Sequence, residues 1–206
     1  MATYKLTYFD FHGGRGEDCR LALHLAGADW EDDRLAGAKW MERKPSTPFG
    51  GLPVLHVEGK GDVAQSNAIL AYLGRTFGLH PSDPFDQARH EALLNAVEDL
   101  RAQVTPTLRI KDEDEKKAAR EALASGAIPT WGDRIEATLG DGPFIGGDEI
   151  GVADLKLFVL VKWFAGGGVD HVPADIFAKN EKLTRLYEAV KSHPKVVEYY
   201  AKFDDA

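Results

Sequence analysis

Tyr8 is the last residue but one of the short run Tyr4-Lys5-Leu6-Thr7-Tyr8-Phe9, which is followed by the turn Asp10 to Gly14 and then by Arg15. A phenol in that place can donate its proton to an anion, while strand statistics alone make it a β-favouring aromatic that fills a core. Cys19 is the one cysteine. A reactive thiol belongs at the first turn of a helix, but Cys19 sits further in and shares a stripe with Ala22 and Leu23, which reads as a small buried hydrophobe. Ser66, preceded by Gln65, either caps a helix or offers a helix-start amide and hydroxyl to a carboxylate. Pro53 opens a strand and takes either peptide isomer. Trp40 and Lys44, four apart, suit one helix surface, and Asp99 lies off the apolar stripe of its helix beside Glu98. The seven histidines are dispersed, with no pair at helical spacing beside a carboxylate, so a metal site is not expected. His12, close to the turn after Tyr8, is the one to watch. Gly13-Gly14-Arg15-Gly16 lacks the lysine and the length of a phosphate-binding loop.

Two kinds of element must position these residues. Up to about Gly78 the pattern alternates between strand and helix. Tyr4 to Phe9 is a strand. Cys19, Ala22, Leu23 and Ala26 mark a helix starting near Arg15, with Gly27 suited to its end. Trp30 to Leu35 is a weaker strand. Leu52 to Val57 and Asp62 to Ala64 flank a Glu58-Gly59-Lys60-Gly61 turn, and Ile69, Leu70 and Leu73 follow on a second helix. The order strand, helix, three strands, helix is a thioredoxin-like α/β layer. It predicts a first domain over 1–78, a proline-bearing linker over 79–84 and an all-helical domain over 85–206. In that second part Leu93, Val97, Leu100, Val104 and Leu108 form a long amphipathic stripe, which Pro106 kinks or ends. Ile128, Trp131, Ile135 and Leu139 repeat the spacing. Ala153 to Ala165 is apolar nearly all round, as in a helix at the centre of a bundle. Shorter helices follow near Lys182 to Lys191 and Lys195 to Phe203.

Composition narrows the function. The chain has 206 residues, 44% of them hydrophobic and 28% charged, which are ordinary globular values. A formal net charge of −8 with scattered basic residues argues against nucleic acid. A lone cysteine excludes a disulfide within the chain and a cysteine zinc site. Leu155 to Ala165 is far short of the ~20 residues that span a bilayer, and no leader pattern opens the sequence. No membrane partner is expected, and the cytoplasm is the expected location.

Taken in order, the motifs resemble the cytosolic glutathione transferases, with the sigma class nearest. Tyr4 to Phe9 is similar to that class's first strand, which ends in the catalytic tyrosine. Trp40 and Lys44 stand where such enzymes hold the glycyl end of glutathione. Pro48-Phe49-Gly50-Gly51-Leu52-Pro53-Val54-Leu55 resembles the loop carrying the cis-proline, and Gln65-Ser66 resembles the γ-glutamyl-binding pair. Phe144-Ile145-Gly146-Gly147-Asp148 with Gly151-Val152-Ala153-Asp154 resembles the approach to the buried central helix. Three departures stand out. Arg15 lies seven residues after Tyr8, one more than the sigma pattern. Gly51 replaces a frequent lysine or glutamine, and Gly151 replaces a Ser or Thr helix cap.

The resemblance implies that glutathione is the co-substrate and that no metal is needed. It also implies that Tyr8 keeps the sulfur as a thiolate for attack on a small hydrophobic electrophile. A free thiol with pKa near ~8.5 is mostly protonated at neutral pH, and the thiolate is the nucleophile. A hydrogen bond to a charged group, worth roughly 1.5–3 kcal/mol, lowers that pKa by about one to two units. The resemblance gives glutathione contacts to Arg15, Trp40, Lys44, Gly51, Leu52, Pro53, Gln65 and Ser66. In relatives an aspartate near Asp99 reaches the other subunit's ligand, so a homodimer is implied, with Glu98 the rival carboxylate. An acceptor pocket between the halves would draw on Phe9, Gly14, Arg101, Thr105 and Phe203. No serine precedes Ser46, so a serine-type transferase lacks its activating residue. A glutathione-dependent isomerase of the prostaglandin D synthase kind, and a non-catalytic protein of the S-crystallin kind, are the alternatives.

Overall fold

A computed structural model of the chain describes residues 3–203, which divide into two compact units, 3–87 together with 193–203, and 88–192. Along the chain run β1 (Tyr4–Phe9), α1 (Gly14–Leu25), β2 (Trp30–Leu35), α2 (Trp40–Arg43), β3 (Val54–Val57), β4 (Gly61–Ala64) and α3 (Ser66–Phe77). Then come α4 (Pro84–Val104), α5 (Glu113–Ser125), α6 (Ala127–Glu136), α7 (Val152–Ala165), α8 (Glu181–Ser192) and α9 (Pro194–Ala201).

The first unit is built on a four-stranded sheet of order β2-β1-β3-β4. β1 runs parallel to β2 and antiparallel to β3, which pairs antiparallel with β4. Strand alternation sends Tyr4, Leu6 and Tyr8 into the core, where Leu6, Leu55, Leu21, Leu23, Ile69, Leu70 and Leu73 are fully buried. α1 and α3 pack on each other over this face. Gly27, at φ 63, ends α1 in the left-handed conformation that glycine favours. α9 lies against α1, and the Lys195 ammonium donates to the Leu25 carbonyl at 2.6 Å. Between Gly37 and Gly50 the backbone makes short 3-10 turns around the four-residue α2. Sequence periodicity does not mark this stretch, because helices so short carry less than two turns of pattern.

In the second unit α7 is buried along nearly its whole length, as its continuous apolar run requires. Its first turn lacks a capping side chain at Gly151. Asp154 supplies the oxygen instead, with Oδ2 accepting from the Gly151 amide at 2.8 Å and Oδ1 from the Ile145 amide at 2.8 Å. Burial pushes this carboxyl up to about 6, against the opposing pull of the two amide bonds. Lys156, wholly buried in α7, pairs with Glu98 of α4 at 2.7 Å. α4 ends at Val104, and the next five residues, with Pro106 among them, form a 3-10 turn. The missing proline amide explains why the regular helix stops there. No helix among the described residues is long and apolar enough to cross a membrane.

Two histidines flank the α1–α9 contact, His24 and His193, and burial lowers the pKa of both. The unfolded chain therefore binds these protons more readily. The stability the rings contribute is present above about pH 6.5 and is lost as pH falls through the lowered native values. Hydrogen-exchange protection of α9 should fall on acidification from neutral pH, and His24→Gln should blunt that fall. Equal acid sensitivity in both proteins would contradict the assignment.

Candidate active site

The register of the sheet brings separated parts of the chain to one edge. Thr7 pairs with Val54, and Val54 with Ala64. Tyr8, Pro53 and Gln65 are the next residues in the chain beyond these pairs, at the same end of the three strands. Tyr8 is buried, at 6% exposure, on the face covered by α1. Its hydroxyl oxygen accepts the Arg15 backbone amide at 3.0 Å, in the first turn of that helix. The phenol oxygen thus meets one of the N-terminal amides of the helix, a group that has no acceptor within the helix itself.

Glycines make this approach possible. A Cβ on Gly14 would lie 2.4 Å from the Tyr8 oxygen, and one on Gly16 would lie 2.1 Å from Tyr8 Cγ. The Gly-x-Gly spacing around Arg15 is therefore a seat for an aromatic ring. The sequence shows the spacing without showing what approaches it.

Pro53 is buried, and the Leu52–Pro53 peptide is cis. Gln65 holds φ 74, an uncommon conformation for a residue with a side chain, and such strain costs about 1–3 kcal/mol and clusters at ligand clamps. It occupies the cap position of α3, with Ser66 as the first helical residue. The expected capping role of Ser66 is thereby corrected: the kink falls one residue earlier, so the buried Ser66 belongs to the first turn. Cys19, fully buried, directs its thiol towards the Arg15 carbonyl at 3.6 Å and the Ser66 carbonyl at 4.0 Å, between the first turns of α1 and α3.

On the opposite face of β1, Phe9 is half-buried and meets Trp40 edge-on, with ring centroids 5.6 Å apart. Lys44 is exposed, its Cε 3.6 Å from the place a Cβ would take on Gly50. Gly51 and Leu52 are half-buried in the extended approach to Pro53. Phe203 packs on His12, with ring centroids 4.1 Å apart, and the Arg34 guanidinium lies over it.

In the second unit Asp99 is exposed on α4, whereas Glu98 is held by Lys156. Arg101 is buried over the Trp163 ring, and Thr105 is half-buried where α4 gives way to the 3-10 turn. The one group of metal-ligand types found among the described residues is Glu113, Asp170 and His171. It is exposed and already engaged in ion pairs with Lys116 and Arg120.

Glu17, Arg20 and Asp32, which the sequence reading passed over, form a charged cluster behind Tyr8. Glu17 and Arg20 are wholly buried, and Arg20 pairs with Asp32 at 2.9 Å and with Glu17 at 3.4 Å. Charges on a helix are usually a solvated face, so their types alone do not reveal them. The available signal is that Glu17 and Arg20 sit on the same helix as Cys19, Ala22 and Leu23, which is buried nearly all round.

Comparison with known proteins bears on this arrangement. Residues 4–75 match the family described as glutathione S-transferase, N-terminal domain, and residues 98–203 match its C-terminal domain. The chain is 42% identical over 129 residues to glutathione S-transferase 1 of Ascaris suum, covering 63% of this chain and 62% of that protein. It is 32% identical over 202 residues to hematopoietic prostaglandin D synthase of Gallus gallus, covering 98% and 97%. Among solved structures, the glutathione S-transferase from Ascaris lumbricoides superposes with a TM-score of 0.84 at 33% identity, over 97% of each chain.

The glycine seat makes a direct prediction. Gly16→Ala forces the Tyr8 ring to move and should lower stability to urea by about 2–3 kcal/mol, the scale of overpacking a core. Gly37→Ala, with nothing within 4 Å of its added carbon, should change stability little. Equal effects from the two substitutions would contradict the packing argument.

Proposed function

We propose that this chain, which belongs to the glutathione S-transferase family, binds glutathione at the sheet edge carrying Tyr8 and adds its sulfur to small hydrophobic electrophiles. The observation that carries the reading is the Tyr8 hydroxyl, seated on the first-turn amide of α1, in a residue that follows Thr7, the β1 partner of Val54. In this reading the phenol donates to the bound sulfur and stabilises it as a thiolate. Tyr8 stays protonated throughout: the thiol proton leaves to solvent as the sulfur ionises, and after an addition solvent protonates the product. The positive end of α1 adds up to about 1 kcal/mol in the same direction.

The tripeptide's three parts find suitable partners nearby. The γ-glutamyl carboxylate suits the amides at the start of α3, which the Gln65 turn presents, with the Ser66 hydroxyl beside them. The cysteinyl backbone suits the free edge at Leu52, and the glycyl carboxylate suits Lys44 and the Trp40 indole nitrogen. Gly51 adds no charge there. Arg15 contributes through its backbone amide to Tyr8. A homodimer would bring the exposed Asp99 within reach of a partner's ligand, and the ion pair with Lys156 makes Glu98 the poorer choice for that role.

Tyr8→Phe keeps the ring in its glycine seat and removes only the hydroxyl. Turnover at neutral pH should fall by about 8- to 25-fold, the loss of thiolate at pH 7 when one to two pKa units of stabilisation are removed. Glutathione affinity, read by calorimetry, should change by less than about threefold, because the lost contact acts on sulfur alone. A fully active Phe variant would show that another group activates the thiol.

A further inference from the structure

Arg20 has no part in the chemistry above, yet its contacts converge on the backbone around Tyr8. Its side chain is wholly buried. Nη2 donates to the Phe9 carbonyl at 3.0 Å, and Nη1 donates to the Phe11 carbonyl at 2.9 Å. Nε donates to Asp32 Oδ1 at 2.9 Å, and Nη1 also lies 3.4 Å from Glu17 Oε2. Its Cζ stands 5.6 Å from the centroid of the Tyr8 ring. The two carbonyls begin and end the turn that leaves Tyr8, and one rigid planar fork holds both. Arginine's five donors in a fixed geometry suit such a task, and a lysine ammonium cannot reproduce it.

The surrounding charges keep that fork aligned. Asp32 divides its carboxylate between Arg20 and Arg34, the latter at 2.7 Å. Arg34 in turn reaches Asp10 at 3.2 Å, inside the same turn. The cluster therefore ties β2, α1 and the turn after β1 into one unit around the phenol. Tyr8 must meet two conditions at once, accepting from the Arg15 amide and donating to sulfur. A hydrogen-bond donor of this kind works only within about 0.5 Å of its productive place.

We propose that Arg20 is the positioning residue for the Tyr8 hydroxyl. It locks the Phe9 to Phe11 turn through its two carbonyls and so holds the phenol at the distance that keeps bound sulfur ionised. The assignment rests on the reading of Tyr8 as the thiolate's donor. It predicts that loosening the fork weakens thiolate stabilisation while glutathione itself stays bound.

The test compares wild type, Arg20→Lys, Tyr8→Phe and the double variant, with glutathione and chlorodinitrobenzene as probes. In Arg20→Lys the pH profile of kcat/KM for chlorodinitrobenzene, at saturating glutathione, should shift upward by about one unit, with about a three- to eightfold loss at pH 7. KM for glutathione should stay within about threefold of wild type. The double variant should be about as active as Tyr8→Phe alone, because Arg20 acts only through the hydroxyl which that substitution removes. A folded Arg20→Lys protein with the wild-type pH profile, or losses that simply multiply in the double variant, would overturn the proposal. Should Arg20→Lys fail to fold, Asp32→Asn keeps the two carbonyl bonds and removes the charge that aligns Nε. It should shift the profile in the same direction by a smaller amount, and an unchanged profile there would also overturn it. Wild-type protein that binds no glutathione by calorimetry would overturn the Tyr8 reading along with this one. A wild type that binds, needs Tyr8 and ignores Arg20 would overturn this one alone.

Discussion

The structure of the first unit turns on one close approach, the Tyr8 phenol against the first turn of α1. The oxygen reaches the Arg15 amide because Gly14 and Gly16 leave no Cβ in the way. That contact fixes where the hydroxyl proton can point, and the rest of the unit is arranged around it. β1 pairs in parallel with β2, and the antiparallel β1–β3–β4 ladder brings the chain neighbours of Tyr8, Pro53 and Gln65 to one end of the sheet. Cys19 closes the gap between the starts of α1 and α3 as a small buried side chain.

Burying charge is costly unless it is paired, and both units follow that rule. Arg20 and Glu17 in the first unit, and Lys156 in the second, are wholly buried, and each sits within an ion pair. Removing one partner of such a pair costs about 3–5 kcal/mol, whereas the intact pair contributes little net stability. Such groups are better understood as fixing one arrangement among several of similar energy. In the first unit the arrangement so fixed is the backbone from which Tyr8 reaches out. In the second it is the match between α4 and the central helix α7, whose first turn Asp154 closes.

Much of this was legible in the residues. Its β-branched and aromatic residues marked β1, and the apolar run of Ala153 to Ala165 marked α7, a helix long enough for burial to imprint a pattern. Tyr8, Pro53 and Gln65-Ser66 were picked out by motif, and the pairing register shows why motifs so far apart in sequence share one place. The charged cluster was not legible. Glu17 and Arg20 carry side chains that usually face water, and only the three-dimensional convergence of β2, α1 and the turn accounts for their burial. The 37–50 segment escaped for a different reason, since its turns are too short to show a period. The expectation that Ser66 caps its helix missed by one residue, because a left-handed Gln65 is not foreseeable from composition.

The central claim is that a protonated phenol holds bound glutathione as its thiolate. Titrating the sulfur of glutathione in complex with the wild-type protein, by its thiolate ultraviolet absorbance, tests this most directly. The account predicts an apparent pKa about one to two units below the free thiol's value of roughly 8.5, so that the anion rises from about 3% to between roughly a quarter and three-quarters at pH 7. A bound sulfur that titrates as it does in free solution would contradict it.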